Sequence, residues 1–334
     1  MAGKLGTTLL TLWGLVTIVF FMIKAVPGDE AQIVAGEGAP PEQIEAVRER
    51  LGLNSTLAVQ YLRYLGRLLH LDLGSSTATH RPVLSDISKV FPGTIQLVLL
   101  ALLISIIVAF TAAAFAALRA QGPMDVVSRA LVLLASGLPV FWVGLMLQYW
   151  LGSNLRILPI SGELTTGVIV PLRTGMTLVD SALTGSLPVF MDALNHLVLP
   201  ACVLAIPVTA QLFRVLRVEM LGVLAREHIA VARAKGLSAR GVTTRHALPN
   251  ALSPALTLVG VEIGLLMASA ILVESVFGLS GLGSYLQRAV AQHDVNAVLG
   301  SVLFFGATVI VANLVIDVIQ VARDPRIRAV QSNG

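Results

Sequence analysis

Apolar residues in this chain do not alternate with polar ones; they run in blocks separated by polar stretches. Six blocks are long enough to cross about 30 Å of hydrocarbon as helices, which takes roughly 20 residues. They are Leu9 to Val26, Thr94 to Leu118, Ala130 to Leu151, His196 to Phe213, Ala251 to Val273 and Ala297 to Ile319. The pattern predicts an all-α membrane protein with six transmembrane helices, and an even number puts both ends on one side. The first block follows Lys4 as a secretory leader would. It runs on to Val26, however, without a small-x-small cleavage pattern, and closes on Pro27-Gly28, so it reads as a span.

Composition points the same way. The 334 residues are 55% apolar and 13% charged, with a mean hydropathy of +0.83, whereas soluble domains carry about a quarter charged residues. This excludes an ordinary cytosolic enzyme, a disordered chain and a nucleic-acid-binding domain. The formal net charge is +4, and the basic residues are sorted by loop. With the N-terminus inside, thirteen Lys and Arg fall on the cytoplasmic side: Lys4, Arg119, Arg129, seven from Arg214 to Arg245, and Arg323, Arg326 and Arg328. Outside, six of the ten lie between Arg48 and Lys89, in a segment too long for the positive-inside rule to govern. Both termini are therefore expected in the cytoplasm. The single cysteine, Cys202, lies in an apolar stretch and reads as a small buried hydrophobe.

Between the first two spans the chain is at its most polar. Glu42 to Leu51, after Pro40-Pro41, reads as a short helix with Glu45 and Glu49 one turn apart. Ala58 to Leu69 places Val59, Leu62, Leu65 and Leu69 on one stripe against Arg63 and Arg67, a helix suited to lying on the outer membrane face. A second outer segment, Gly152 to Asn195, is rich in Gly, Thr and Pro and reads as irregular.

The stretch between the fourth and fifth spans, Arg214 to Pro254, is the most informative. Arg226 to Lys235 is a helix-compatible run whose last turn carries Arg233 and Lys235 ahead of Gly236, cations at the negative dipole end and glycine where a left-handed residue is needed. Leu237 can close that stop, and Ser238 is a good N-cap for a second helix, Ala239 to Ala247, ending before Pro249. Ala230, Ala232 and Ala234 make the first helix narrow, which suits a partner's groove; a basic loop resting on lipid headgroups is the plainer alternative.

This loop resembles the EAA loop of ABC importer permeases. Glu227, Ala232 and Gly236 fit its loose pattern, followed by His246-Ala247-Leu248-Pro249, and A-R-A-K-G-L-S-A-R is similar to the peptide and nickel importer branch; Glu227-His228-Ile229 departs from a literal Glu-Ala-Ala. V-P-G-D at Val26 to Asp29, Q-Y-L-R-Y-L-G-R-L-L-H-L-D-L-G-S-S from Gln60 to Ser76, V-E-S-V-F-G-L-S-G-L-G from Val273 to Gly283 and D-P-R-I-R from Asp324 to Arg328 also resemble the first of the two permeases in dipeptide or oligopeptide importers. The resemblance implies a type I permease fold in a cell inner membrane, with residues 1–26 as N-terminus and first span and 27–93 as an extracytoplasmic helical segment. Residues 94–320 would be the permease core with the EAA loop at 214–250, and 321–334 a cytoplasmic tail. It further implies a second homologous permease, two cytoplasmic ATPases and an external binding protein as partners. The chain has no Gly-x4-Gly-Lys-Ser/Thr phosphate cradle, so ATP and Mg belong to the partners and this chain is expected to bind no cofactor and to catalyse nothing. Contacts to the ATPase are assigned by the resemblance to Glu227, Ala232, Arg233, Lys235 and Gly236, with Ser238 and Arg240 aligning the second helix.

Within the spans, Glu262 stands near the middle of the fifth, where an ionisable group costs roughly 2.5 kcal/mol or more. It is either a path-lining acid for a peptide amine or cation, or a carboxyl bonding a neighbouring helix. Asn313, one turn before Asp317 on the sixth span, is a second path candidate. Pro139, Pro200 and Pro207 predict kinks, and Gly278, Gly281 and Gly283 a tight external turn or gate. The six histidines show no metal-ligand spacing. Cargo stays open between peptides and chelated nickel. An ion-coupled secondary transporter using Glu262 is the alternative class, weakened by the single central acid and the lack of an inverted repeat.

Overall fold

The computed structural model describes residues 2–25, 29–36, 38–118, 122–171 and 173–323. The V-P-G part of V-P-G-D, Arg119 and all of D-P-R-I-R lie outside them. Among the described residues there is no strand beyond an isolated bridge between Ser75 and Pro82, so the chain is all-α. It divides into two compact units: residues 1–91 with 285–310, and residues 92–284 with those from 311 onward.

The first unit opens with α1 (Ala2–Ala25), followed by three short helices, α2 (Glu30–Ala35), α3 (Pro41–Leu51) and α4 (Leu57–Leu69). Asp29 starts α2 by accepting from the Ala31 N–H, and its other oxygen pairs with Arg48 on α3. The predicted helix at Glu42 is present, with Pro41 in its first turn and Gly52 left-handed at its end. In α4 the expected stripe is divided. Tyr61, Tyr64, Leu65 and Leu68 pack against Val16, Val19 and Phe20 of α1, and against Leu299 and Leu303. Val59, Leu62 and Leu69 point outward, at 39%, 66% and 86% exposed. The two tyrosines lie edge-on or tilted against Phe20, so aromatic packing, which needs larger surfaces than leucine offers, decides which face turns inward.

The next helix, α5 (Val83–Leu118), starts eleven residues before the predicted Thr94 and runs through Pro92. In the second unit come α6 (Pro123–Gly137), α7 (Val140–Leu147) with a π-helical continuation Gln148–Asn154, α8 (Thr177–Leu183), and α9 (Leu187–Leu224), which contains Pro200 and Pro207 without breaking. The loop after α9 carries α10 (Glu227–Ala234), α11 (Ala239–Val242) and a π-turn Thr243–Ala247 that feeds α12 (Leu248–Phe277). Two helices complete the chain, α13 (Leu282–Ala291) and α14 (Val295–Arg323).

Four helices are long and apolar enough to cross a membrane unaided: Val83–Leu118, Leu187–Leu224, Pro254–Phe277 and Val295–Gln320. The third predicted span is not one helix. Asp125–Ala135 and Val140–Asn154 meet at 105°, because Leu138 before Pro139 is extended (φ −90°, ψ 134°) as the proline ring requires. The apolar part of α1, Gly6–Met22, is shorter than the other spans. Where six spans are expected, the described residues hold four unbroken helices of spanning length, a bent pair that makes a fifth when counted as one span, and the shorter apolar helix α1. Their apolar surface faces outward: Leu99, Leu103 and Ile107 on α5, and Val311, Val315 and Ile319 on α14, are 43% to 56% exposed. Such faces are favourable when hydrocarbon or an apolar protein partner covers them.

The segment from Gly152 to Asn195, expected to be irregular, carries α8 and the first turns of α9, and acids organise the rest. Glu163 accepts from the Ser280 N–H at 3.1 Å and from the Thr177 hydroxyl. Asp192 accepts from the Thr165 N–H and hydroxyl at 2.8 and 2.6 Å. Asp180 accepts N–H bonds from Arg173, Thr174 and Gly175; burial alone would raise its pKa, but these bonds outweigh it and hold the carboxyl below the usual range.

The glycine turn after α12 is built around a carboxylate. Gly278 ends α12 left-handed (φ 60°), and Glu274, 1% exposed, accepts from the Thr94 hydroxyl at 2.5 Å and from the Ser284 N–H at 2.9 Å. Thr94 in turn accepts from the Leu282 N–H at 2.7 Å. A side chain at Gly281 would overlap that carboxylate, and a Cβ at Gly283 would come within 2.5 Å of the Ile271 Cα. The turn is thus a closed cap in this structure, its donors taken by Glu274. Gly283→Ala should sharply lower the yield and thermal midpoint of folded protein, because backbone must move. Gly222→Ala on α9, where a Cβ meets nothing within 4 Å, should be neutral or stabilising by up to about 1 kcal/mol. Equal thermal midpoints for the two variants in detergent would disprove the close approach.

Candidate coupling helix and translocation path

The loop between α9 and α12 has a buried base and an exposed tip. Val242 at the end of α11 and Thr243 and Ala247 of the π-turn are fully or almost fully buried, and the π-turn packs against both α9 and α12. The second predicted helix does not stop before Pro249. The Leu248 N–H bonds the Thr243 carbonyl five residues back, closing the π-turn, and Pro249, with no N–H to give, falls in the first turn of α12, where none is required.

The tip is α10. Glu227 lies in its first turn, favourable for the helix dipole. Ile229 is its anchor, 1% exposed, while Val231 on the other side is 54% exposed. Ala230, Ala234 and Lys235 are also exposed, and Ala232 is half-buried. The helix ends as its sequence dictates: the Lys235 N–H bonds the Val231 carbonyl, the Leu237 N–H reaches the Ala232 carbonyl at 3.2 Å, and Gly236 between them has φ +87°. Ser238 then caps α11, its hydroxyl accepting from the Gly241 N–H at 3.2 Å, with Arg240 exposed on that short helix. The rings of His228 and His246, eighteen positions apart in sequence, come to 6.5 Å between centroids and tie the tip to its base. The residues Glu227, Ala232, Lys235, Gly236, Ser238 and Arg240 thus occupy one continuous projection, and the backbone of Arg233 lies within it.

The two path candidates are not brought together. Glu262 is 4% exposed with one carboxylate oxygen lacking a hydrogen-bond partner, and the charge acting on it comes from Arg214 of α9. Asn313 of α14 is exposed and lies against Gly260, whose Cβ would come 3.1 Å from its Oδ1. Gly260 and Glu262 are two positions apart on one helix, hence on opposite faces.

With this geometry in place, comparison with known proteins is decisive. The family of binding-protein-dependent transport system inner membrane components matches residues 109–329, and the N-terminal domain of such membrane components matches residues 2–98. The chain belongs to this family. The permease is 36% identical over 329 residues to the di/tripeptide transport system permease protein DppB of Pseudomonas aeruginosa, covering 98% of each chain. It is 35% identical to the dipeptide transport system permease protein DppB of Escherichia coli, covering 97% of each. Identity to the probable D,D-dipeptide transport system permease protein DdpB of the same organism is also 35%, over 94% of this chain and 95% of the relative. Its role is therefore that of a multi-pass membrane subunit of an ABC importer, translocating and not catalytic.

Two features of the permease went unread in the sequence. One is the Glu274 cap described above. The other is an ion pair beneath the coupling loop: Arg217 of α9 grips Asp125, in the first turn of α6, through two bonds of 2.6 and 2.7 Å. Asp125 is 1% exposed and Arg217 17%, so the pair is shielded from water and clamps the start of the broken span to the helix that leads into α10. The only sequence signal was a lone acid after Gly122-Pro123 facing a basic residue 92 positions on. Asp125→Ala leaves a buried guanidinium unpaired and should cost about 3 kcal/mol or more. Thermal unfolding in detergent checks this; a midpoint within a degree of the parent would show the pair to be dispensable.

Proposed function

We propose that this chain is one of two membrane subunits of an importer for short peptides, driven by two cytoplasmic ATPases through α10. Both termini lie in the cytoplasm of an inner-membrane protein, and an external binding protein delivers cargo. The reading rests on α10 itself: a helix held at its base by buried residues, its Ala230, Ala234 and Val231 left exposed by all the described residues. An ATPase groove is the surface that covers it, with Glu227, Ala232, Arg233, Lys235 and Gly236 as contacts and Ser238 and Arg240 holding α11 in line. ATP and Mg reside on those partners. Peptide cargo rests on similarity to permeases named for dipeptides and di/tripeptides; chelated nickel is not favoured. Glu262 of α12 and Asn313 of α14 are proposed as polar path positions; Asn313 meets α12 at Gly260, on the face opposite Glu262, so at most one of the two faces the path.

At Gly236 the constraint is conformational, since a Cβ would meet nothing within 4 Å yet φ is +87°. Gly236→Val should strain the joint by on the order of 1 to 2 kcal/mol. Peptide uptake and transport-coupled ATP hydrolysis should both fall, with insertion and assembly intact; normal uptake would remove α10 as the link. Glu262→Gln separates the two roles of that acid. A selective loss of uptake for peptides with a free amine marks a path residue, whereas an unchanged cargo profile marks a helix-packing carboxyl.

A further inference from the structure

The first unit contains a cavity of about 680 Å³ with walls from α1, α3, α4, the turn before α5, and α14. Its chemistry is divided. Phe20, Tyr64, Leu299 and Leu303 make an apolar floor, part of the cluster that joins α1, α4 and α14. Lys24, Arg50, Arg63, Arg67 and His70 make a basic rim, with Asp72 as the acid among the lining residues. That acid already accepts the Gly74 N–H at 2.9 Å. Among the described residues, Arg50, Arg63 and Arg67 have no carboxylate within ion-pair distance.

A second observation points to a ligand. Tyr64 is 7% exposed, yet its hydroxyl has no hydrogen-bond partner, and the side-chain oxygen of Gln60 beside it has none either. A buried hydroxyl left unpaired costs about 1 to 3 kcal/mol, so an acceptor belongs there. Burial, opposed by Arg67, pushes this phenol up to about 12, which keeps it a donor at physiological pH. The cavity's depth narrows the choice of acceptor. Apolar Gly6–Met22 of α1 ends just before Lys24, so the basic rim sits where hydrocarbon gives way to headgroups, and the floor continues into the span. Guanidinium groups suit a phosphodiester, which they bind through paired N–H groups; an apolar floor suits acyl chains and has no use for a small free anion.

We propose that this cavity binds an anionic phospholipid, with its phosphate held by Arg63, Arg67 and the Tyr64 hydroxyl and its acyl chains on Phe20, Leu299 and Leu303. Arg50 enlarges the positive field, which disfavours the cationic headgroup of a zwitterionic lipid.

The test uses the full chain in detergent, titrated with dihexanoyl phosphatidylglycerol, dihexanoyl phosphatidylcholine or inorganic phosphate, and read by native mass spectrometry and thermal midpoint. Phosphatidylglycerol should bind and raise the midpoint, and neither of the others should match it. Replacing Arg63 and Arg67 together by Gln should weaken that binding by about tenfold or more, and Tyr64→Phe by about threefold to tenfold. Both arginines are exposed, so their replacement leaves the packing of the unit intact even if Tyr64→Phe does not. Equal binding of phosphatidylcholine, saturation by inorganic phosphate alone, or unchanged affinity in the arginine variant would each overturn the proposal. If that variant holds lipid normally but no longer responds to an acidic external protein, the rim is a protein contact and the lipid site falls.

Discussion

Hydrocarbon offers no water to a backbone N–H or carbonyl, and this permease is shaped by where those groups find partners. Long helices satisfy them internally. Each departure from the helix carries its own remedy. Where α12 ends, the Gln148 amide, on the π-helical continuation of α7, donates to the Val276 carbonyl at 2.9 Å and also to Ile160. Where the chain turns from α12 into α13, Glu274 and Thr94 take the N–H groups of Leu282 and Ser284. Where α11 joins α12, a π-turn shifts the hydrogen-bond register so that Pro249 arrives where no donor is missed.

The same economy explains the coupling loop. A helix of eight residues is marginal in isolation, and α10 persists because Ile229 is buried and because Gly236 and Ser238 satisfy its end and the start of α11. Everything needed to hold it lies on one side. The other side is exposed, and the π-turn at its base is buried against α9 and α12. The Asp125–Arg217 clamp extends that base to the broken span, so one rigid junction gathers α6, α9 and α12 beneath the tip.

Charges are scarce in this chain, and most acids of the second unit have defined work. Glu163, Asp180 and Asp192 collect N–H groups from segments that lack regular structure, replacing a ladder of backbone bonds with carboxylate hubs. In the first unit Asp86 instead gathers side chains, accepting from the Thr79 hydroxyl and pairing with the Arg81 guanidinium. Arg50, Arg63 and Arg67 break this pattern, since their rim has more cations than acids, and it sits above the rings of Phe20 and Tyr64.

Much of the fold was legible in the amino-acid order. Continuous apolar blocks require membrane helices whatever their neighbours, and the EAA-like loop declares itself through strictly local chemistry: Gly236 is left-handed and Ser238 caps because backbone sterics and a hydroxyl one turn away decide both. The prolines show where local reading stops. Pro92, Pro200, Pro207 and Pro254 sit inside continuous helices, and Pro139 ends one, although all five offer the same missing N–H and the same ring. Whether a helix survives depends on whether packing on either side repays the lost bond, and that packing comes from segments distant in sequence. Glu274 and Thr94 are 180 positions apart, and Asp125 and Arg217 are 92 apart. Local order determined the elements and their caps; only the tertiary structure decided which breaks were tolerated and which charges met, because desolvation and partnering are properties of the assembled surroundings.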